Sequence, residues 1–149
     1  MRILIIEDDS NKMRRISNEV REIRKDVQLT EARSYQSGVR NLMSGQFDFL
    51  LLDMSLPIFD ISPEEDGFQV DPFSGRNILA EMSRKNVLVP TAVITMFETF
   101  GDGANLMTLE ELDKDLAEKY PAIYRGAIYY NSSEINWKES LKKLIEESS

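Results

Sequence analysis

Five short runs of apolar residues, each followed by a segment with helical periodicity, constrain the fold of this chain most. Four of them span residues 3–6, 49–52, 89–94 and 127–130, and in the remaining one, residues 27–32, apolar and polar residues alternate loosely. Strands that are apolar along their whole length are typical of a parallel sheet covered by helices on both faces. With right-handed crossovers, this alternation predicts a doubly wound α/β sandwich.

The helical segments show apolar residues three or four positions apart, which form one face of a helix. In the first segment these residues are Met13, Ile16, Val20 and Ile23. Ser10 is predicted to cap the N-terminus of this helix, and Gly45 to end the second. Asn136 and Glu139 are predicted to form a capping box at the start of the closing helix.

Composition excludes several classes of protein and of site. The chain has 149 residues, which predicts a single domain spanning 1–149, and it contains neither cysteine nor histidine. Disulfide scaffolds, the usual zinc sites and Ser-His-Asp triads are therefore excluded. The net charge of −8 argues against direct nucleic-acid binding. Without a membrane-length apolar run or a cleavable leader, we expect a cytoplasmic protein that does not bind membranes.

The first helical segment carries a local cluster of basic residues. These residues are Lys12, Arg14, Arg15, Arg21, Arg24 and Lys25. The cluster is interpreted as a solvated helix face, and the alternative is a docking surface for an acidic partner.

Carboxylates follow the first and third apolar runs, and a hydroxyl ends the fourth. Glu7 and Asp8 follow the first run, Asp53 follows the third, and Thr95 ends the fourth. Ligands of such sheets bind beyond the carboxyl ends of the strands, where these groups are expected to meet. Clustered carboxylates repel each other, and Mg²⁺, which prefers oxygen ligands, resolves that repulsion. A carboxylate beside such an ion can attack a phosphoryl group.

Three segments resemble the receiver domain of two-component response regulators. They are residues 2–10, residues 47–57 and residues 91–95, and the order of elements matches over essentially the whole chain. The resemblance implies a flavodoxin-like five-stranded sheet. It also implies a histidine kinase or a phosphotransfer protein as the phosphoryl donor.

The resemblance assigns a role to each residue at the strand ends. Asp53 is implied as the phosphoryl acceptor and Thr95 as the switch hydroxyl. Mg²⁺ is implied to bind Glu7, Asp8 and Asp53, with Asp8 the more direct ligand. The backbone carbonyl of Ser55 is implied as a further metal ligand.

The sequence departs from the receiver pattern in two places. Met96 follows the switch threonine where the family has a small residue, which predicts crowding of the pocket. The family also has a lysine at the end of strand five. One alignment places Asn131 there, and the other places Ser133 there and Tyr130 at the switch aromatic position. Lys119 and Lys138 are the nearest lysines in sequence that could substitute.

Two connections are longer than is typical, so insertions are expected around residues 58–74 and 97–125. Gly75 is predicted to open the third helix, and Gly67 is a competing assignment. Long loops of this kind often carry function.

The preferred interpretation is a stand-alone receiver that accepts a phosphoryl group on Asp53 and switches a face that binds an unknown downstream protein. Its enzymatic activity would be at most self-phosphorylation from phosphodonors and autodephosphorylation. The alternative is a pseudo-receiver, a protein-interaction module that does not depend on phosphorylation. A phosphatase of the haloacid-dehalogenase type is disfavoured, because Ser55 stands where that family needs a second aspartate.

Overall fold

The computed structural model describes residues 1–60 and 70–148, in which strands and helices alternate along the chain. The strands are β1 (Arg2–Ile6), β2 (Gln28–Ala32), β3 (Phe49–Leu52), β4 (Leu56–Pro57), β5 (Val70–Asp71), β6 (Thr91–Thr95), β7 (Thr99–Phe100), β8 (Met107–Thr108) and β9 (Tyr124–Tyr129). The helices are α1 (Ser10–Ile23), α2 (Tyr35–Ser44), α3 (Ser74–Arg84), α4 (Leu109–Lys119) and α5 (Asn136–Glu147). A short 3₁₀ turn spans Gly103–Asn105.

The central sheet has five parallel strands in the order β2-β1-β3-β6-β9. The predicted flavodoxin-like, doubly wound α/β fold is confirmed. Ile6 of β1 pairs with Leu52 of β3, and Leu52 pairs with Val93 of β6. The carboxyl ends of β1, β3 and β6 therefore lie side by side.

Two apolar layers cover the sheet, one on each face. Ile3 and Ile5 of β1 point into the layer formed with α1 and α5, whereas Leu4 and Ile6 point into the layer formed with α2, α3 and α4. This alternation follows from the two-residue period of a strand. Because both faces are covered, β3 is apolar and buried at all four positions, and β1 is apolar and buried at every position after Arg2.

Two helix starts differ from the predictions. Asp9, not Ser10, caps α1, because Asp9 has the extended backbone of a cap residue and accepts the Lys12 N–H at 3.0 Å. Ile135 precedes α5 with helical backbone angles and makes no side-chain cap, so the predicted capping box of Asn136 and Glu139 is wrong. Gly45 follows the last residue of α2 as predicted.

The structure describes part of the first long connection and all of the second. Strands β7 and β8 form an antiparallel hairpin, and β4 pairs with β5 in the same way. Gly75 lies in the first turn of α3, as predicted, whereas Gly67 lies outside the described residues. Within residues 1–60 and 70–148, no helix is both long and apolar enough to cross a membrane.

Candidate functional site

The carboxylates predicted to meet at the sheet edge do so. Oxygen atoms of Glu7, Asp8 and Asp53 all lie within 4.8 Å of one another. Two backbone hydrogen bonds fix the strand ends: the Glu7 N–H donates to the Ala32 carbonyl at 2.9 Å, and the Asp53 N–H donates to the Ile6 carbonyl at 3.0 Å. The geometry of the cluster therefore follows from the sheet.

Burial makes this cluster electrostatically costly. Glu7 and Asp53 are almost fully buried, and Asp8 is half-buried. Burial raises the pKa of the Glu7 carboxyl, and the Asp53 charge raises it further. The pKa of Asp8 is raised by the same two causes, in the same order. Both carboxyls are therefore easier to protonate than they are in water.

The structure brings a lysine into the cluster from α1. The Lys12 side chain is 2% exposed, and its Nζ lies 2.6 Å from Glu7 Oε1 and 3.5 Å from Asp53 Oδ1. Nζ also donates to the Ile94 carbonyl at 2.8 Å. Burial by itself lowers the pKa of Lys12, but the charges of Asp53 and Glu7 outweigh this effect, and the pKa is raised.

The prediction that Lys12 belongs to a solvated helix face is therefore wrong. Arg14, Arg15 and Arg21 of the same basic cluster are exposed, as predicted. Sequence reasoning missed Lys12, although the spacing contained the signal. Lys12, Ile16 and Val20 are four residues apart, so Lys12 extends the buried stripe toward the acidic strand end.

The predicted substitutes for the strand-five lysine make other contacts. Lys119 pairs with Asp115 at 3.2 Å, and Lys138 pairs with Glu19 at 3.7 Å. Neither lysine therefore takes the position that was open to it, and the ammonium next to Glu7 and Asp53 belongs to Lys12.

The two candidate strand-five positions hydrogen-bond to each other. Asn131 Oδ1 accepts the Ser133 N–H at 3.0 Å and the Ser133 hydroxyl at 2.8 Å. This turn directly follows Tyr130, which is the first residue beyond β9. Neither side chain brings a positive charge to the site.

Thr95 and Tyr130 link the site to the edge strand. Thr95 is fully buried, its hydroxyl oxygen accepts the Phe97 N–H at 3.2 Å, and its carbonyl accepts the Tyr130 N–H at 2.7 Å. The Tyr130 ring is buried, and its centroid lies 4.9 Å from that of Trp137 and 5.8 Å from Lys12 Nζ. The ring thus contacts the site rather than solvent.

Met96 is 39% exposed, so much of this side chain lies in solvent. Its neighbour Phe97 is also exposed, as is Tyr129 at the end of β9. Three large apolar side chains therefore stand on the surface beside Thr95.

Ser55 and the first turn of α3 lie next to Asp53. The Ser55 hydroxyl donates to the Pro72 carbonyl at 3.5 Å, and the Gly75 N–H donates to the Met54 carbonyl at 2.9 Å. A Cβ on residue 75 would lie 2.7 Å from the Asp53 carbonyl oxygen. Glycine is therefore required where α3 approaches the strand end.

The donor set suits a hard divalent cation. Three carboxylates converge, and among the described residues Glu7 Oε1 is a buried oxygen with no hydrogen bond, paired only with the Lys12 ammonium. Mg²⁺ takes oxygen ligands of this kind. The residues present therefore fit the metal that the sequence predicts.

Two relatives are similar along nearly the whole chain, whereas no protein-family model matches it. The uncharacterized protein y4jR of Sinorhizobium fredii is 32% identical, over 95% of each chain. The Detocs response regulatory protein DtcB of Enterobacter cloacae is 29% identical, over 99% of each chain.

Solved receiver domains have the same fold. Response regulator protein TrrA of Thermotoga maritima, solved in complex with Mg²⁺ and BeF, matches with a TM-score of 0.62 and 19% identity. The match covers 96% of this chain and 97% of that one.

Proposed function

Since the chain belongs to the receiver-domain family of two-component response regulators, we propose that Asp53 accepts a phosphoryl group and that the added charge switches a partner-binding face. The observation that carries this proposal is the position of Asp53. Its buried carboxylate lies between two further acids and an ammonium, at the carboxyl end of a central strand. A carboxylate held in this way can act as a nucleophile toward phosphorus.

The first step is attack by a carboxylate oxygen of Asp53 on the phosphorus of a phosphohistidine. The P–N bond breaks, an acyl phosphate forms on Asp53, and the leaving imidazole keeps the electron pair and takes up a proton. This chain contains no histidine, so the phosphohistidine belongs to a partner. The proposed partner is a histidine kinase or a phosphotransfer protein.

The two oxygens of Asp53 are not equivalent. Oδ1 accepts the Met54 N–H at 2.8 Å and faces Lys12 at 3.5 Å. These contacts orient the carboxylate, and the second oxygen is assigned the attack. The attacking atom is thus held in place before the donor arrives, which lowers the entropic part of the barrier.

The proposed metal ligands are the carboxylates of Glu7, Asp8 and Asp53 and the backbone carbonyl of Ser55. When bound there, Mg²⁺ neutralises negative charge between Asp53 and the incoming phosphoryl group. Lys12 contributes a second positive charge on the side of α1.

The proposed switch runs through β6. A phosphoryl group adds close to two negative charges, and Thr95 can donate its hydroxyl to one of the new oxygens. The Thr95 hydroxyl oxygen and carbonyl now bond to Phe97 and Tyr130. Movement of Thr95 therefore disturbs the surface that carries Met96, Phe97 and Tyr129, which is the proposed face for the downstream protein.

The decisive experiment is incubation with a small phosphodonor and Mg²⁺, followed by intact-mass measurement. The wild type is expected to gain the mass of one phosphoryl group, and Asp53→Asn is expected to gain none. Asp48→Asn is the matched control, because Asp48 precedes the same strand at its opposite end and binds the Arg2 N–H. A phosphoryl mass on Asp53→Asn equal to that on the wild type contradicts the assignment.

A module that binds partners without phosphorylation is the second candidate. One observation favours it: the Lys12 ammonium already pairs with Glu7 and Asp53, so the pocket is partly neutralised without a ligand. Titration with beryllium fluoride and Mg²⁺ separates the two candidates. Unchanged amide spectra of the wild type favour the module.

A further inference from the structure

The buried ammonium of Lys12 lies where a phosphoryl group on Asp53 would need a positive charge. We propose that Lys12, carried into the site by α1, binds an oxygen of the phosphoryl group on Asp53 and passes that contact to β6 through the Ile94 carbonyl. This assignment rests on the proposed function and names a residue from a different element than the strand-five position.

The three contacts of Nζ have unequal lengths. Glu7 Oε1 lies at 2.6 Å and the Ile94 carbonyl at 2.8 Å, whereas Asp53 Oδ1 lies at 3.5 Å. An ammonium has three N–H donors. The Ile94 carbonyl accepts one of them, and Glu7 Oε1 is held as an ion pair. The long contact with Asp53 therefore leaves donor capacity for an oxygen that a phosphoryl group would bring.

The backbone of Lys12 is fixed as firmly as its ammonium. The Lys12 N–H donates to the Asp9 carboxylate at 3.0 Å, and the Met13 N–H donates to the Asp9 carbonyl at 2.9 Å. Asp9 follows Glu7 and Asp8 directly, so one strand-to-helix turn positions both the acids and the base. The side chain is buried along its length, which restricts where Nζ can go.

Lys12 is also hydrogen-bonded to β6, the strand that carries the proposed switch residue Thr95. Ile94 precedes Thr95 in β6 and pairs with Ile128 of β9. Its carbonyl is 82 residues from Lys12 in sequence. When a phosphoryl oxygen draws Nζ toward Asp53, the hydrogen bond to the Ile94 carbonyl is lengthened or broken. The end of β6 then loses one of its contacts with α1.

The test compares the wild type, Lys12→Met and Lys138→Met by titration with beryllium fluoride and Mg²⁺, followed by amide spectra. Methionine keeps the unbranched shape of the side chain up to Cε and removes the ammonium. Loss of a charge-assisted contact predicts about 10- to 100-fold weaker binding of the mimic in Lys12→Met. Lys138→Met is the matched control, because Lys138 lies on α5 and pairs with Glu19. Its binding is expected to equal that of the wild type.

A second measurement uses the wild type alone and holds even if Lys12→Met does not fold. The protons of a buried ammonium exchange slowly with water, so the side-chain ¹⁵N resonance of Lys12 can be followed directly. It is expected to shift on addition of beryllium fluoride with Mg²⁺ and to shift far less with Mg²⁺ alone.

The outcomes separate this assignment from the proposed function. A wild type that binds no mimic and gains no phosphoryl mass refutes both. A wild type that binds the mimic while its Lys12 resonance stays unmoved overturns only the assignment of Lys12. Equal binding by folded Lys12→Met overturns it as well.

Discussion

Gly75 of α3 lies so close to Asp53 that a Cβ on residue 75 would stand 2.7 Å from the Asp53 carbonyl oxygen and 3.0 Å from the Met54 Cα. These obstacles are backbone atoms, which cannot rotate away as a side chain can. Gly75→Ala is therefore expected to destabilise the protein by about 1–3 kcal/mol, the usual cost of overpacking. Denaturant unfolding measures this loss.

The same variant is expected to slow phosphorylation of Asp53, because the strand end must shift. Ser83→Ala, on an exposed turn of the same helix, is the control and is expected to change neither quantity. Full stability of Gly75→Ala would show that α3 can move away from the strand end at no cost.

Mg²⁺ is expected to stabilise the fold, because it relieves the repulsion among the three clustered carboxylates. At a concentration of about 10 Kd the gain is roughly 1.4 kcal/mol. Thermal unfolding with increasing Mg²⁺ measures it. The rise is expected to be much smaller in Asp8→Ala, whereas Asp102→Ala, outside the cluster, should behave as the wild type. A flat response of the wild type refutes the metal site.

The stability of the metal-free protein is expected to fall as pH rises through the titration of Glu7. The pKa of this carboxyl is raised in the folded state, so the folded state binds its proton more tightly than the unfolded state does. The stabilisation is therefore complete below the unfolded pKa of 4.5 and is lost as pH rises toward about 8.

Glu7→Gln tests this dependence, because it keeps the shape of the side chain and removes its titration. Urea unfolding at several pH values between 5 and 8, with a chelator present, is expected to show a shallower loss in Glu7→Gln. Identical slopes for the two proteins would assign the pH dependence to other groups.

Thr95→Ala is expected to separate phosphorylation from switching. The variant loses the hydroxyl that binds the Phe97 N–H, at a cost of about 1 kcal/mol. It should still gain a phosphoryl mass, but the amide shifts of β6 and β9 should shrink. Thr99→Ala, on the exposed side of β7, is the control. Unreduced shifts in Thr95→Ala would place the switch elsewhere.

A lysine introduced just after β9 is expected to restore part of the binding that is lost with the Lys12 ammonium. Asn131 directly follows Tyr130, whose ring lies 5.8 Å from Lys12 Nζ, so a lysine at position 131 tests whether the end of β9 can also supply the charge. The double variant Lys12→Met/Asn131→Lys should bind beryllium fluoride more tightly than Lys12→Met alone. Equal affinities would indicate that only α1 can deliver the charge.

The acids of the site could be predicted from sequence because their placement depends on one local rule. Glu7 and Asp53 each follow an apolar strand, and parallel strands bring their carboxyl ends to one edge. Two further observations follow from local periods in the same way. Trp137 is buried because it lies on the apolar face of α5, and Tyr129 is exposed next to buried Tyr130 because successive residues of an extended chain point to opposite sides. The spacing of residues that are close in sequence is sufficient to predict the position of such side chains.

Lys12 could not be assigned in the same way, because its partners are distant in sequence. Its contact with the Ile94 carbonyl spans 82 residues, and the pairing depends on how α1 packs against β6. A lysine among five other basic residues is typical of a solvated face, and the apolar stripe that continues to Lys12 was the only local sign against it. Asp9 was missed as a cap because Ser10 is an equally good cap residue.

The short ladder between β4 and β5 makes the first long connection a natural site for engineering. Leu56 pairs with Asp71 and Pro57 with Val70, so the two ends of the intervening segment leave the fold as neighbours. The Ser74 hydroxyl stabilises this arrangement, because it donates a hydrogen bond to the Leu56 carbonyl at 2.9 Å. A fluorescent reporter or an affinity tag inserted between positions 57 and 70 would have both its ends held side by side by this ladder, whose first residue, Leu56, follows Asp53 by three positions.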